Sequence, residues 1–216
     1  KGWRDAWQFG QFGKYKDYYS EKLQSNLSLD AYVARKRRID QSTSWKKINT
    51  EKVRALEADY EARILFEQEY ITPDFISTGQ KELTFLKNDD QWKIVSEDFS
   101  RTRPQIKFKS SISRFVHNWE QKQEAQNTGF GKDSLLVVNN ISYGLNSDTI
   151  YAEFDLTIFG KDKVKTGSGK LFLDYEEGKW YLITEDLSDV DRMDLSRFSK
   201  KFTDQWLQAW NSGNIE

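Results

Sequence analysis

An internal repeat constrains this chain more than any other feature of its sequence. Residues 78–100 align without gaps onto residues 166–188 at an offset of 88, and seven of the 23 positions are identical. The identical pairs are Thr78/Thr166, Gly79/Gly167, Leu83/Leu171, Trp92/Trp180, Glu97/Glu185, Asp98/Asp186 and Ser100/Ser188. Self-similarity at a fixed offset indicates that one supersecondary unit is used more than once. The sequence therefore predicts a β-hairpin that occurs twice.

A second repeat involves tryptophans and extends the pattern towards both ends of the chain. The motif Trp3-x-x-Ala6-Trp7-x-x-Gly10 returns as Trp206-x-x-Ala209-Trp210-x-x-Gly213, and Phe115-x-x-x-Trp119 returns as Phe202-x-x-x-Trp206. Equivalent tryptophans stand 89 residues apart in the first copy and 61 apart in the second, so the second copy lacks about 28 residues. We predict a complete domain over 1–100, a linker over 101–110, a shortened second copy over 111–188, and the opening helix of a third copy or a packing helix over 195–216.

The hydrophobic pattern predicts that helices come first in each copy and strands follow. Trp3 and Trp7 share a helical face, and Ser28 and Asp30 are candidate N-caps of a later helix. From Ile48 the period changes to two, which is typical of strands. Alternating side chains define strands through Ala62, Ile64, Phe66, Gln68 and Tyr70 and through Ile150, Ala152, Phe154, Leu156 and Ile158. The predicted fold class is α+β, with tandem cone-like domains whose N-terminal helices pack on a curved antiparallel sheet.

The second copy keeps one helix and its strands but lacks the segment that forms two further helices in the first copy. Because an exposed apolar sheet face promotes aggregation, we expect that face to be covered by the first copy or by a helix over 196–210.

Composition excludes several classes of function. Lys and Arg number 33 against 34 Asp and Glu, which argues against a nucleic-acid surface, since phosphate binding needs an excess of clustered cations. The chain has no Cys and one His, so thiol nucleophiles, disulfides and zinc sites of thiolates or clustered His are excluded. No apolar run approaches the length of about 20 residues needed to span a bilayer. The opening Lys1-Gly2-Trp3 reads as mid-helix, so we expect a fragment or a mature piece of a longer protein.

The order of short motifs carries a resemblance to a known superfamily. The motifs are Trp3-x-x-Ala6-Trp7, Tyr15-x-x-x-Tyr19-Ser20, Ala34-Arg-Lys-Arg-Arg38, Phe66-x-Gln68-x-Tyr70, Lys81-x-Leu83 and Trp92-x-Ile94-x-x-Glu97. Their order resembles the cone-shaped superfamily of nuclear transport factor 2 and ketosteroid isomerase. Within it, the chain is most similar to accessory domains attached to bacterial L,D-transpeptidases and L,D-carboxypeptidases, which trim or crosslink peptidoglycan. The Cys of the transpeptidase motif is absent, so such an enzyme would lie outside this chain.

The resemblance implies a pocket enclosed by the sheet and helices of the first copy. The candidate ligand-binding residues are Tyr15, Tyr19, Lys36, Arg37, Trp45, Gln68 and Tyr70. The alternative, which the sequence favours, is that the aromatic side chains fill the cone as core and their polar ends find hydrogen-bond partners.

Enzymes of the superfamily use a carboxylate base with a raised pKa beside Tyr or acidic donors. On that hypothesis Tyr15 or Tyr19 is the donor and Asp40 the base, although a solvated Asp40 at a helix end is the favoured interpretation. Glu97 and Glu185 recur at the end of the last strand, and their recurrence in both copies favours a structural hydrogen-bonding role. We predict no catalytic residue, no metal site and no cofactor.

The remaining charged motifs have simpler interpretations. The run Arg35-Lys-Arg-Arg38 either binds an anionic partner such as a peptide carboxylate or forms a solvated helical face. The acidic pairs Asp89-Asp90 and Glu176-Glu177 are interpreted as solvated turns, and His117 as a surface or packed histidine.

Two functional hypotheses follow. The first is a non-catalytic binding or scaffolding module of a bacterial cell-envelope protein, associated with peptidoglycan remodelling, exported or periplasmic, with a protein or cell-wall fragment as partner. A homodimer through sheet faces is compatible with it. The second is a small-molecule isomerase or dehydratase of the ketosteroid isomerase type, which requires Asp40 to be buried in an open cavity.

Overall fold

A computed structural model describes residues 2–88, 90–126, 134–160 and 163–194. Contacts divide these residues into two compact units. Unit 1 comprises residues up to 111 together with 144–149 and 175–181, and the other described residues form unit 2. The segment 101–110, predicted to be a linker, lies within unit 1. The helix predicted over 195–216 lies outside the described residues.

Unit 1 opens with three helices, α1 (Gly2–Gln8), α2 (Phe12–Asp17) and α3 (Leu29–Gln41). Gly10 separates the first two because its φ of 65° is a left-handed conformation that glycine adopts at little cost. Ser28 is the N-cap of α3, as predicted, and its side chain accepts a hydrogen bond from the backbone N–H of Ala31 at 3.3 Å.

An antiparallel sheet, sheet A, follows the helices in unit 1. Its strands are β1 (Lys47–Glu57), β2 (Glu61–Ile71), β3 (Phe75–Asn88), β4 (Gln91–Arg101) and the short β5 (Ile106–Lys107). The strands pair in the order β1-β2-β3-β4, and β5 pairs with β3. One face of β2 packs on the helices: Trp3 of α1 meets Phe66 edge-on with ring centres 6.1 Å apart, and Trp7 stacks on Tyr70 at 5.5 Å.

The core of unit 1 is dominated by aromatic side chains from the helices and the inner face of sheet A. Its buried members are Trp3, Ala6, Trp7, Phe12, Tyr15, Tyr19, Leu29, Val33, Ile48, Phe66, Tyr70, Leu83 and Ile94. This packing agrees with the interpretation that aromatic side chains occupy much of the cone.

Unit 2 has one helix and a four-stranded antiparallel sheet, sheet B, within its described residues. Helix α4 (Phe108–Gln126) begins in unit 1, and β6 (Leu135–Asn146), β7 (Thr149–Phe159), β8 (Lys163–Glu176) and β9 (Lys179–Asp194) pair in that order. The alternation predicted for β7 is confirmed: Ile150, Ala152, Phe154, Leu156 and Ile158 are all buried. The β8–β9 turn contains Glu177 and Gly178, both with positive φ, as tight hairpin turns require.

The predicted α+β fold class is confirmed, since three helices precede an antiparallel sheet in unit 1 and, within the described residues, one helix precedes a second sheet in unit 2. None of the described helices combines the length and apolar character that a membrane span requires.

Candidate functional site

Three of the predicted pocket residues converge on one buried carboxylate in unit 1. Tyr15 comes from α2, Tyr19 follows that helix, and Lys36 comes from α3. Their polar atoms meet Glu97 of β4: Lys36 Nζ donates to Oε1 at 2.7 Å, and the Tyr15 hydroxyl donates to Oε2 at 3.0 Å. The Tyr19 hydroxyl also bonds to Oε2. We call this cluster, completed by Lys81 of β3, the polar centre.

Glu97 is saturated with hydrogen bonds from side chains. Lys81 Nζ donates to Oε1 beside Lys36, so each carboxylate oxygen is contacted by two donor groups. The side chains of Glu97 and Lys81 are 2% and 4% exposed, and that of Lys36 is 15% exposed. A buried carboxylate therefore lies between two ammonium groups, and the three ionised side chains together carry one net positive charge.

The tyrosines extend this network to α1. The indole N–H of Trp3 donates to the Tyr19 hydroxyl at 2.9 Å, and the hydroxyls of Tyr19 and Tyr15 lie 2.6 Å apart. The two hydroxyl protons are shared among three contacts: one between the tyrosines and one from each tyrosine to Glu97. All three helices are thereby bonded to the centre of sheet A.

The electrostatics of the polar centre keep Glu97 ionised. Burial by itself raises the pKa of Glu97, but the charges of Lys36 and Lys81 and the hydrogen bonds from both outweigh it and hold that pKa well below its usual range. Burial lowers the pKa of Lys81 to about 8, although its ion pair with Glu97 acts in the opposite direction. Burial, followed by the charge of Glu97, raises the pKa of Tyr15 and of Tyr19. At neutral pH both tyrosines are protonated and Glu97 is not.

Lys36 also lies against aromatic faces. Its Nζ is 4.4 Å from the ring centre of Trp7 and 5.3 Å from that of Tyr32. Cation–π contacts of this kind stabilise an ammonium group that has lost part of its hydration. Tyr32, whose pKa is raised by burial and by the charge of Glu97, thus belongs to the surroundings of the polar centre.

A break in the strand register directs Glu97 towards the helices. Ile94 pairs with Phe85 and Glu97 with Leu83, because the ladder between β3 and β4 shifts at Thr84/Phe85. The shift adds a residue to β4, as a β-bulge does. Ile94 and Glu97 therefore face the same side although an uninterrupted alternation would place them on opposite sides.

The repeat-equivalent positions in the described part of unit 2 are occupied differently. Glu185, the repeat equivalent of Glu97, accepts a hydrogen bond directly from the indole N–H of Trp119 at 2.8 Å. The equivalent of Lys81 is Gly169, where an added Cβ would come within 2.4 Å of the Phe154 ring. As predicted, both recurring glutamates accept hydrogen bonds, but only Glu97 lies between two lysines.

The other predicted pocket residues lie apart from the polar centre. Arg37 is exposed, with its guanidinium 5.5 Å from the Phe12 ring centre, and Trp45 meets Phe108 edge-on at 5.2 Å. Tyr70 stacks on Trp7, and burial raises its pKa to about 12. Gln68 is 3% exposed, and its Oε1 has no hydrogen-bond partner among the described residues.

The proposed catalytic partner of the tyrosines takes part in a different ion pair. Asp40 lies near the end of α3 and pairs with Lys46, and its side chain is 27% exposed. No hydrogen bond among the described residues joins Asp40 to Tyr15 or Tyr19. His117 is a surface residue bonded to Glu120 at 2.8 Å, and the described residues contain no cluster of metal-ligating side chains.

Among the cavities of unit 1, two lie beside its helices, and a third of about 460 Å³ is lined by residues of β1–β3 together with Thr102 and Arg103. One, of about 270 Å³, is lined mainly by apolar side chains at the inner face of sheet A, among them Trp3, Ile64, Phe66, Leu83 and Phe85. The other, of about 760 Å³, is an open groove between the segment after α2 and the β3–β4 hairpin, and its lining includes Lys16, Lys22, Lys87 and Lys93. None of the residues that meet at Glu97, apart from Tyr19, lines either cavity.

The prediction of the site from the sequence did not include Lys81. It gave Glu97 a structural hydrogen-bonding role but did not identify the residues that bond to it. The recurrence of Glu97 and Glu185 was the available signal, but the repeat alone does not reveal the register shift that turns Glu97 inward. Lys81 stands on a strand whose other inner-face residues are mostly apolar or small, and its alternation with Leu83 marked it as facing the core.

Comparison with known protein families supports the superfamily predicted from the sequence. Residues 1–98 match the family of the Cds6 C-terminal NTF2-like domain. Residues 1–98 of this chain are therefore similar to an NTF2-like domain.

The solved structures to which the chain is similar are distant in sequence. The structure of Bd1075 of Bdellovibrio bacteriovorus is 20% identical with a TM-score of 0.45, and the match covers 48% of this chain and 38% of that one. Pgp2 of Campylobacter jejuni, a helical cell shape determining protein, is 21% identical with a TM-score of 0.39, over 45% of this chain and 37% of that one. An NTF-2-like protein of Shewanella oneidensis is 21% identical with a TM-score of 0.38, over 46% and 90%. Among curated proteins, none matches the chain.

Proposed function

We propose that this chain is a non-catalytic binding module of a bacterial cell-envelope protein, with an anionic partner that is recognised by the exposed face of α3. The partner class is a protein or a cell-wall peptide that carries carboxylates, and the process is peptidoglycan remodelling. Export to the envelope belongs to the same proposal.

The ionisation, hydrogen bonding and burial of Glu97 are the observations that support the non-catalytic part of the proposal. A general base needs a pKa near the operating pH and access to the proton it removes. Glu97 has a pKa held well below its usual range, four donor groups on its two oxygens, and a side chain that is 2% exposed. These features suit a carboxylate that fastens the helices to the sheet rather than one that accepts a proton from a substrate.

The exposed arginines of α3 support the proposal that the partner is anionic. Lys36 turns into the core, whereas Arg35, Arg37 and Arg38 on either side of it are exposed. None of the three forms an ion pair with a described residue, and only Arg37 has a close aromatic neighbour, Phe12. Guanidinium groups bind carboxylates through two parallel hydrogen bonds, so an unpaired arginine face is suited to a carboxylate ligand.

The envelope assignment has support from sequence. The first 98 residues match an NTF2-like family, and the motifs of the first copy resemble domains that accompany peptidoglycan-processing enzymes. The absence of Cys is compatible with an oxidising compartment, where a free thiol would be at risk of oxidation.

Cosedimentation with purified, protein-free peptidoglycan sacculi tests the proposal. We expect the whole chain to pellet with sacculi in a saturable manner and to be released by soluble muropeptides. The double variant Arg35→Glu/Arg38→Glu should weaken retention at least about tenfold, since it replaces two attractive charges with repulsive ones.

A matched control is Lys109→Glu/Lys122→Glu on α4, which makes the same change in net charge at two exposed positions of another helix. Equal losses in both double variants would show that only net charge matters and would contradict recognition by α3. Failure of the parent chain to pellet above an unrelated protein of equal size would contradict a cell-wall ligand. Turnover of a steroid or dehydratase substrate that Glu97→Gln abolishes in a folded chain would contradict the non-catalytic role.

A further inference from the structure

Glu69 is a buried carboxylate without a cationic partner. It lies on the outer face of β2, directly opposite Asn49 of β1, and is 3% exposed. No Lys, Arg or His of the described residues lies within ion-pair distance of it. Its hydrogen bonds come from neutral donors: Asn49 Nδ2 to Oε2 at 3.4 Å and the backbone N–H of Gly178 to Oε1 at 3.2 Å.

The second of these donors belongs to the turn of the β8–β9 hairpin. This hairpin tip, Tyr175–Tyr181, is part of unit 1. Asn49 Nδ2 donates to the carbonyl of Tyr175 at 2.6 Å, and the indole N–H of Trp180 donates to Ser111 Oγ at 2.9 Å. The hairpin tip therefore covers Glu69 and forms hydrogen bonds with β1, β2 and the start of α4.

The neighbourhood of Glu69 is rich in carboxylates. The charged and titratable groups that face it are Glu51 and Lys52 on β1, Glu67 on β2, Arg103 after β4, and Tyr175, Glu176 and Glu177 on the hairpin tip. Lys52 pairs with Glu67 at 2.8 Å and with Glu177 at 3.4 Å, and Arg103 pairs with Glu67 at 3.7 Å. Both cations thus pair with other carboxylates. Arg103 acts on Glu69 only at longer range, and Glu69 has no ion pair of its own.

We propose that the hairpin tip is a proton-controlled latch, closed on sheet A when Glu69 is protonated and loosened when Glu69 is ionised. An ionised Glu69 has to be hydrated, and lifting the hairpin tip is the structural change that admits water to it. Carboxylates on the two contacting surfaces repel one another in the closed state: Glu51 lies on β1, and Glu176 and Glu177 lie on the hairpin tip.

The sign of the pH dependence follows from linkage. Burial raises the pKa of Glu69 to about 7 in the closed state, against opposing contributions from Asn49 and Gly178, and an exposed Glu has a pKa near 4.5. A group whose pKa is raised in the closed state stabilises that state below its exposed pKa, and the stabilisation is lost as pH rises through the closed-state pKa. The opening equilibrium should therefore rise by up to about 100-fold between about pH 5 and pH 8.

Amide hydrogen exchange of the whole chain, corrected for the intrinsic effect of pH, measures that opening. We expect peptides covering 175–181 to lose protection between about pH 5.5 and pH 8, while peptides from β2 and β3 stay protected at both values. Glu69→Gln should abolish the change and keep the hairpin tip protected at both values, because the amide accepts the same hydrogen bond without a charge. The control Glu153→Gln, at a half-exposed glutamate of β7, should behave as the parent chain does.

Each result decides for or against the latch. Equal pH dependence of Glu69→Gln and the parent chain would overturn it, as would opening of β2 and β3 in step with the hairpin tip. If Glu69→Gln does not fold, Glu51→Gln replaces it. This variant leaves Glu69 intact but removes from β1 a carboxylate that repels both Glu69 and the hairpin tip, so the pH at which the tip loosens should move upward, and an unchanged midpoint would count against the latch.

Discussion

At the scale of single residues, Glu97 organises unit 1. Its two oxygens receive bonds from side chains of α2, α3 and β3, and Trp3 of α1 is connected to them through Tyr19. Such a buried ionic cluster adds little stability compared with an apolar core of the same volume, but loss of one member leaves the others uncompensated. The ion pairs are therefore expected to specify one arrangement of the helices on the sheet.

Replacing Glu97 by Gln should lower the free energy of unfolding by about 3–5 kcal/mol, because the charges of Lys36 and Lys81 are then buried together without a counter-charge. Urea unfolding at neutral pH measures this loss. The matched control is Glu185→Gln in unit 2, where the carboxylate is exposed and bonded to one indole, and where a loss below about 1 kcal/mol is expected. Similar losses in both variants would contradict a special role for the polar centre.

Acid should weaken the parent chain through the same residue. A carboxylate whose pKa is lowered by folding contributes stability that is present above its unfolded pKa, near 4.5 for Glu, and is lost as pH falls towards its folded pKa. The difference in unfolding free energy between the parent chain and Glu97→Gln should therefore shrink as pH falls below about 4.5. Urea midpoints of both proteins from neutral to acidic pH give this difference, and a constant difference over that range would be inconsistent with an ionised Glu97.

At the scale of elements, the surroundings of a glycine decide what a substitution there costs. A Cβ on Gly79 of β3 would lie 2.5 Å from the carbonyl oxygen of Ser100 and 2.6 Å from the Phe99 ring, whereas at Gly13 of α2 no atom lies within 4 Å. Gly79→Ala should cost at least about 2 kcal/mol, since a paired strand has to move. Gly13→Ala should instead stabilise by up to about 1 kcal/mol through helix propensity. Thermal unfolding of the two variants compares them, and an equal effect would show that the close approach at Gly79 is absent.

Sequence periodicity predicted the elements well because each is a local pattern. Alternation through Phe66 and Tyr70 located β2, and Ser28 correctly marked the start of α3. The polar centre was only partly predictable. Tyr15, Tyr19 and Lys36 were among the candidate pocket residues, but the bulge that turns Glu97 inward depends on pairing between β3 and β4, which local alternation does not contain.

At the scale of the whole molecule, the space between helix and sheet is filled differently in the two units. In unit 1 a lysine, a glutamate and tyrosines lie between helices and sheet, whereas in unit 2 the Phe154 ring occupies the space beside Gly169 and Trp119 bonds to Glu185 directly. Within the described residues, the ionic cluster is therefore a feature of unit 1, and the corresponding positions of unit 2 hold Gly169 and Glu185.

This difference predicts which segments lose protection from amide exchange when each unit is substituted. Glu97→Gln should accelerate amide exchange in α1–α3 and in β3–β4, while β7 and the adjoining part of β8 in unit 2 keep the protection of the parent chain. Gly169→Ala should do the reverse, because its added Cβ meets Phe154 and Leu187, both in unit 2. Exchange mapped by mass spectrometry distinguishes these outcomes from a uniform loss of protection, which would mean that the two units do not respond separately.

The most direct test of the central claim is the titration of Glu97 itself, followed by the NMR chemical shift of its ¹³C-labelled side-chain carboxyl, with Glu97→Gln used for assignment. The carboxylate of a structural centre held by two lysines should stay ionised from neutral pH to below about pH 4. A titration midpoint between about pH 5 and pH 8 would instead reveal a carboxylate poised to exchange protons, and would contradict the assignment of this chain as a non-catalytic module.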